Sequence, residues 1–514
     1  MKRIYLTFIS LFLLSTLFAS ELILIQVKSF QEVKQLFDDQ SKKIHFYNDD
    51  FVIATTNSGA NENDLLLDKN PWEANQSYYI VYLDNSVDKS RYLTQLDPIA
   101  NILFDDSDFL VVSINEQKSG QLPPAKNDGM VRIHNTSAKL PSYSLSEYVS
   151  TPTQTDPFVV ELLNEVSNTN ITTTVQHLED YGTRNAYASQ SSEAQNWISS
   201  QFDDLGLDVE IMDFYMPGGS ASDNVIAKQI GTTYPNEFVV VGGHYDSYSS
   251  SGAAPGADDN ASGTAAVLEI ARVLSSHDFE RSIIYCAFSG EEYGLYGSAA
   301  YANRSSQQGM NILGYFNLDM IGYLEPGGTM MTSLVYPQSA KELADFYTAI
   351  CSLYLPSFVI QPGTLSGANS DHYSFNMNGF MGIFPFENIN AYSPYIHTSN
   401  DKVGTSYNNE AQAGVFTKAS LASVATIAKS GFTGVPISSE FFGIYPNPAN
   451  DQITIQLKTE VRVKLDVFNL MGQLVHSQHI TNNEEINITN WAKDIYVFRV
   501  VTPNGIAVKK VIKH

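Results

Sequence analysis

The chain has 514 residues, with 30 Lys+Arg against 55 Asp+Glu, a formal net charge of −25, 43% hydrophobic and 12% aromatic residues. At roughly 150 residues per domain this length predicts about three domains, and so many apolar side chains exclude a disordered acidic chain. An acidic surface repels phosphate backbones and anionic lipid heads, which excludes nucleic acid as a natural partner.

Lys2 and Arg3 precede the mostly apolar run Ile4 to Phe18, which the small residues Ala19 and Ser20 close. The run is shorter than the ~20 residues of a membrane span and has the basic start of a secretory signal, so 1–20 are expected to be a signal peptide. The alternative is an uncleaved N-terminal anchor. No later stretch is apolar enough to span a bilayer, and the mature protein is expected to be soluble and exported.

Residues 21–140 read as β-rich pieces (ELILIQV, FVIATT, YYIVYL, FLVVSI, MVRIH) separated by Asn, Asp, Gly and Ser. They are expected to form an N-terminal accessory or propeptide domain. Residues 141–157, rich in Ser, Thr and Pro, read as a surface linker. From 158 to 430 apolar runs alternate with helical periodicity (FVVVGG, AAVLEIARVL, SIIYCAFS, ILGYFNL). This predicts an α/β domain, a mostly parallel mixed sheet flanked by helices. After a linker at 431–441, residues 452–512 alternate apolar and polar positions, which predicts a small β-sandwich over 442–514. From 441 onward eight Lys/Arg face six Asp/Glu, a net +2, whereas the preceding residues carry −27. That shift marks a module boundary. The two cysteines, Cys286 and Cys351, sit in core-like contexts and can be either one bridge or two buried thiols.

The ends of the predicted strands in 158–430 carry the chemistry. His244 and Asp246 follow strand 238–242. Asp258 and Asp259 precede a helix that starts near Ser262, Glu291 and Glu292 follow strand 283–288, Asp319 follows 313–318, and His397 lies beyond 380–386. In open α/β sheets ligands bind outside the carboxyl ends of the strands, so these side chains converge on one crevice. Carboxylates that close resist ionisation unless cations compensate them. Imidazole plus carboxylate without thiolate suits zinc and tolerates cobalt or manganese. Two His and three carboxylates exceed one tetrahedral site and suit two ions about 3.5 to 4 Å apart. One further Glu of the pair then remains as a proton acceptor.

The motifs GGHYDS, PGADDNASG, FSGEEYGLYGS, LDM, SDHYSF and PFEN with YSPYIHT, in this order over 157–430, closely resemble the family-28 zinc metallopeptidases of the bacterial leucyl aminopeptidase type. The resemblance implies two zinc ions per catalytic domain, held by His244, Asp258, Glu292, Asp319 and His397, with Asp258 bridging. It implies Glu291 as general base, Asp246 as the carboxylate that orients His244, and a cis peptide after the bridging Asp, here Asp258–Asp259. It also implies a first side-chain pocket of Met320, Phe384, Phe386, Tyr392 and Ile396, apolar enough to favour Leu, Met or Phe. Asp371 and His372 are expected to support that pocket. The implied substrates are peptides or proteins with a free N-terminus. The chain departs from the family where a cysteine pair around a Tyr is usual: Leu365, Gly367 and Asn369 stand there, and Tyr373 is an alternative hydroxyl.

YPNPANDQITIQL, DVFNLMGQLV and VKKVIKH resemble the C-terminal sorting domain of type IX secretion substrates, with DIY at 494–496 in place of the expected GIY. This implies export through that machinery by 442–514, to the medium or the cell surface. A carboxypeptidase or dipeptidase on the same scaffold, a single-zinc glutaminyl cyclase and a zinc-retaining binding protein are the competing readings.

Overall fold

The computed structural model describes residues 20–514 except 63, 84–88, 124–129, 251, 364–369, 430–441, 458–462, 470–473, 482 and 503–504. The expected signal segment up to residue 19, the linker 431–441 and the departure at Leu365, Gly367 and Asn369 lie outside the described residues.

The apolar runs of 158–430 build one eight-stranded sheet. Its strands are β1 (Asp208–Met212), β2 (Asn224–Gln229), β3 (Tyr234–His244), β4 (Arg281–Phe288), β5 (Asn311–Asn317), β6 (Met331–Val335), β7 (Val359–Gly363) and β8 (Gly382–Phe386), in the order β7-β6-β8-β5-β3-β4-β2-β1. The central four, β8-β5-β3-β4, are parallel. β2 joins β4 antiparallel, and β6 joins β8 antiparallel. A strand covered on both faces needs no polar alternation, and β4 is buried along its whole length. Helices Asn168–Glu179, Gly263–Leu274, Lys341–Tyr354 and Glu410–Ala428 bury their apolar sides in the core on one face. Tyr301, Ala302 and Phe375, from helices Tyr296–Gln307 and His372–Met377, pack on the other. The mixed, mostly parallel sheet is as the sequence predicts.

The N-terminal part holds two antiparallel four-stranded sheets. One joins Lys42–Tyr47, Phe51–Thr56, Glu21–Gln26 and Leu65–Asp68, and the other Ala100–Asp105, Phe109–Asn115, Gln76–Tyr82 and Met130–Ile133. Helices Phe30–Asp38 and Lys89–Leu96 accompany them. Alternation exposes five of the eight strands. It misses Lys42–Tyr47, Leu65–Asp68 and the half-exposed Ala100–Asp105, and both helices, the first of which Ser29 caps at Phe30.

Within 141–157 the stretch 144–149 is anchored, while 150–157 are mostly exposed. Glu342 accepts from Ser144 Oγ (2.7 Å), Leu145 N (2.9 Å) and Ser146 N (2.8 Å), and Leu145, Tyr148 and Val149 are buried in the core of the α/β domain. A carboxylate nearly two hundred residues away satisfies this backbone, so its own composition reads as a loop.

The C-terminal residues form a three-stranded sheet (Phe442–Tyr445, Gln452–Leu457, Glu484–Asn487) and a four-stranded one (Leu474–Ile480, Val463–Phe468, Ile495–Thr502, Gly505–Ile512) around one apolar core. This module meets the α/β domain through charged and aromatic side chains. Lys464 Nζ donates to Tyr148 Oη (3.2 Å), Arg499 stacks 5.0 Å from the Tyr234 ring, and His479 Nε2 lies 2.6 Å from Glu147 Oε2. Cys286 and Cys351 are both free and buried. Among the described residues no helix is long and apolar enough to cross a membrane.

Candidate metal centre

β3 ends on His244, and the chain returns to the same crevice after β4, after β5 and after β8. Two glycines make the convergence possible. A Cβ on Gly243 would stand 2.4 Å, and one on Gly263 2.0 Å, from the carbonyl oxygen of Leu318, so only glycine lets β3 and the following helix close on the end of β5. Asn260 locks the junction, donating to Leu318 O (2.9 Å) and accepting from Gly263 N (2.8 Å). Leu295, Met320 and His397, beside or within the cluster, adopt left-handed backbone at φ 64, 48 and 53. Side chains other than glycine hold that conformation only where their surroundings fix it.

Two overlapping groups of ligand atoms result: His244 with Glu291 and Asp319, and His244 with Asp259 and Glu292, each set within 4.8 Å. All are buried. His244 Nε2 lies 3.5 Å from Asp259 Oδ1, 3.5 Å from Asp319 Oδ1 and 4.0 Å from Glu291 Oε2. His397 Nε2 lies 3.2 Å from Asp259 Oδ2 and 2.9 Å from Glu292 Oε2. Asp259 therefore turns one oxygen to each imidazole.

The structure corrects the choice of Asp258. Its Oδ1 accepts from Gly322 N (2.8 Å), and it belongs to neither ligand group. Neighbouring residues project to opposite sides of the kinked backbone, where Asp259 has φ −112 and ψ 94. Burial, with Asp401 and Asp259 nearby, pushes the Asp258 carboxyl well above the usual range. The cis bond likewise lies at Asp259–Asn260 and not at Asp258–Asp259.

Asp246 sits under the Glu pair. His244 Nδ1 is 3.0 Å from the backbone oxygen of Asp246 and 3.5 Å from its carboxylate. The carboxylate accepts from Glu291 N (3.2 Å) and Glu292 N (3.4 Å). Asp319 Oδ2 accepts from Ser370 Oγ (2.7 Å), which Asn317 Nδ2 (2.8 Å) and, behind it, Tyr315 (2.8 Å to Asn317 Oδ1) hold in place. Three further groups were missed in the sequence. Asp401 accepts from the backbone N–H of Asp258 (2.9 Å) and Asp259 (3.1 Å), and Ser370 is the donor just described. Arg184, fully buried, donates to the carbonyls of Tyr245 (2.7 Å), Leu178 (2.9 Å), Pro255 (2.7 Å) and Gly256 (2.8 Å). It lashes the loop after His244 to the loop before Asp259. Burial lowers its pKa to about 10 while Asp401, Asp246, Asp259 and Glu292 pull the other way, so it stays a cation.

The pocket residues also come together. Met320, Phe384, Phe386 and Ile396 share one buried cluster with Val335, and Tyr392 packs against it. Glu387 pins the loop over this cluster, accepting from Tyr323 N (3.0 Å) and Ser393 N (2.8 Å). His372 lies 5.3 Å from the Phe384 ring, and burial drives it down to about 3, so it is neutral. Burial raises Asp371 to about 7, with His244 opposing. Tyr373 is not a substitute hydroxyl for the crevice: it stacks on Phe46 of the N-terminal part at 5.7 Å. The aromatic next to His397 is Tyr248, edge-on at 5.4 Å.

The donor set fits a metal. Burial alone would hold His244 neutral, yet Asp319, Glu291 and Asp246 outweigh it and push the imidazole well above its usual range. His244 Nε2 and Asp319 Oδ1 make no hydrogen bond among the described residues. Such a cluster calls for positive charge, and nitrogen and oxygen donors of this kind accept zinc.

A buried imidazole and carboxylate cluster at the carboxyl ends of a central parallel sheet defines the class of metal-dependent α/β hydrolytic domains. Residues 224–421 match Peptidase family M28, and 443–514 match the Secretion system C-terminal sorting domain. Leucine aminopeptidase 1 of Leptosphaeria maculans is 30% identical over 269 residues, 48% of this chain and 67% of that protein. The chain belongs to peptidase family M28. A probable zinc metalloprotease of Pyrenophora teres f. teres is 35% identical over 196 residues, 33% of this chain, which spans only 40% of that relative's length. In fold the chain is similar to the LapA aminopeptidase of Legionella pneumophila (TM-score 0.56, 19% identity, 69% of this chain and 98% of that one). It is equally similar to LapB of the same organism (TM-score 0.56, 23% identity, 69% and 99%).

Replacing Arg184 with Lys is expected to destabilise the catalytic domain by about 2 to 3 kcal/mol, because one ammonium cannot reach four carbonyls spread over two loops. Denaturant unfolding measures this, and a shift below about 0.5 kcal/mol, the range of ordinary surface changes, would contradict the lashing role.

Proposed function

We propose that this chain is a secreted di-zinc aminopeptidase that removes a hydrophobic N-terminal residue, such as Leu, from peptides and proteins. The observation that carries the reading is Asp259, with one oxygen toward His244 and the other toward His397. His397, Glu292 and one Asp259 oxygen would hold one ion, and His244, Asp319 and the other Asp259 oxygen the second. Zinc bound there would supply the Lewis acidity that activates water and polarises the scissile carbonyl.

The chain's own residues do the rest. Glu291, whose Oε2 lies 4.0 Å from His244 Nε2, takes the proton of the attacking water and returns it to the departing amine. Asp246 fixes the direction of Glu291 through its backbone N–H and holds the proton on His244 Nδ1, leaving Nε2 as the donor atom. Ser370 keeps one Asp319 oxygen occupied so that the other faces the crevice. The apolar cluster of Met320, Phe384, Phe386 and Ile396, with Tyr392 against it, receives the first side chain and excludes water from it. The matched sorting domain supports delivery through type IX secretion machinery to the medium or the cell surface. We read 21–140 as an N-terminal domain, 158–430 as the catalytic domain and 442–514 as the sorting module.

Metal analysis of the purified chain beside its Glu291→Ala variant tests the mechanism. Two zinc ions per chain are expected in both, with turnover of Leu-p-nitroanilide reduced about 10³-fold in the variant. Retained zinc with unchanged turnover removes Glu291 as the base, and cleavage only from a free C-terminus makes the protein a carboxypeptidase. Among p-nitroanilides, Leu is expected to be cleaved at least about tenfold faster than Lys or Glu, and faster cleavage of either charged residue overturns the apolar preference. Deleting 440–514 is expected to trap the enzyme in the periplasm, an idea that unchanged release into the medium would sink.

A further inference from the structure

The turn that carries Glu291 and Glu292 is held from two sides. Asp246 grips its backbone from within the catalytic domain. The far end of the turn, Gly294 to Tyr296, is gripped by the N-terminal domain. Tyr79 Oη lies 2.6 Å from Tyr296 Oη, and the Arg132 guanidinium stands 4.9 Å from the Tyr296 ring centroid. Arg132 is itself fixed by Glu116 (2.6 Å), so it is a rigid part of that surface. Leu295 is not part of the main core of the catalytic domain. It is buried in one apolar cluster with Phe46, Phe51, Tyr78, Ile80 and Val131 of the N-terminal sheets. Tyr79 and Arg132 also close on Gly294, where a Cβ would come within 3.0 Å of the Tyr79 ring and 3.3 Å of Arg132 N.

These contacts bear on the catalytic pair because the turn is a closed unit. Gly294 N and Leu295 N donate to Glu291 O (2.8 and 2.9 Å), and Tyr296 N donates to Gly290 O (3.0 Å). Where residues 294–296 sit, Glu291 follows. Leu295 has left-handed backbone, φ 64 and ψ 34, which a leucine side chain disfavours. Its burial among the N-terminal aromatics is what offsets that strain.

We propose that the N-terminal domain is a standing part of the catalytic centre, which positions Glu291 and Glu292 through Tyr79, Arg132 and the apolar seat of Leu295. This rests on Glu291 and Glu292 having the roles given above. It assigns the domain a lasting task in the mature enzyme, in place of a transient cover, and makes Tyr79 and Leu295 positioning residues far from the substrate.

The test uses the full chain with Tyr79→Phe, Tyr296→Phe, both together, and Leu295→Ala. Each single change is expected to lower kcat on Leu-p-nitroanilide about tenfold, since small misplacements of a catalytic group cost rate. KM should stay within about twofold and zinc content should not change, which separates lost positioning from lost binding. The double Tyr variant should be no slower than either single one, because both remove the same contact. Hydrogen exchange at the amides of 290–297 should accelerate in every variant. Unchanged kcat together with unchanged exchange in Tyr79→Phe and Leu295→Ala overturns the proposal. A parent chain without turnover instead removes the peptidase reading, while exchange at 290–297 still reports whether the clamp exists.

Discussion

Mutual repulsion among buried carboxylates is the constraint around which this protein is organised. Asp259, Glu291, Glu292 and Asp319 crowd two imidazoles in a space that water scarcely enters. Left to themselves, side chains with that charge would turn away, take up protons or open the crevice to solvent. Arg184 answers part of the repulsion with a fixed cation that ties backbone carbonyls and leaves every carboxylate oxygen to the centre. Asp246, Asp401 and Ser370 then spend their hydrogen bonds on the ligands or on the backbone that bears them. The left-handed residues and the two glycines against Leu318 are the local cost of bringing several loops to one point.

Much of this was legible because strand ends are legible. A run buried on both faces announces itself by continuous apolar composition, and the next polar residue marks where the crevice begins. His244, Glu291, Glu292, Asp319 and His397 were found in that way and come together in space. The choice between Asp258 and Asp259 was not legible by that reasoning, since two identical neighbours differ only in backbone torsion. Arg184 and Asp401 carried no signal either. Leu178 apart, the partners of Arg184 are backbone groups more than sixty residues away and those of Asp401 more than one hundred and forty, and such bonds leave no local pattern.

The same limit applies to Tyr373 and to 144–149. Tyr373 lies next to a motif that faces the crevice, but one residue along a helix turns a side chain by about 100 degrees, here toward Phe46. Residues 144–149 are held by Glu342 and buried through Leu145 and Tyr148, whereas 150–157 keep the exposure that their Ser, Thr and Pro content suggests. In each case the local sequence was consistent with the fold and the long-range partner decided the outcome.

The C-terminal module shows why delivery and chemistry can share one chain. It touches Tyr234, where β3 begins, whereas His244 is where β3 ends. At about 3.3 Å per residue this strand sets the contact roughly 30 Å from the metal centre. The contact is made by Lys464, His479 and Arg499 against Tyr148, Glu147 and Tyr234. Lys464 and Arg499 belong to a stretch with a net charge of +2, set on a body that carries −27. These contacts sit at the end of the sheet opposite the crevice, away from Asp259 and its imidazoles.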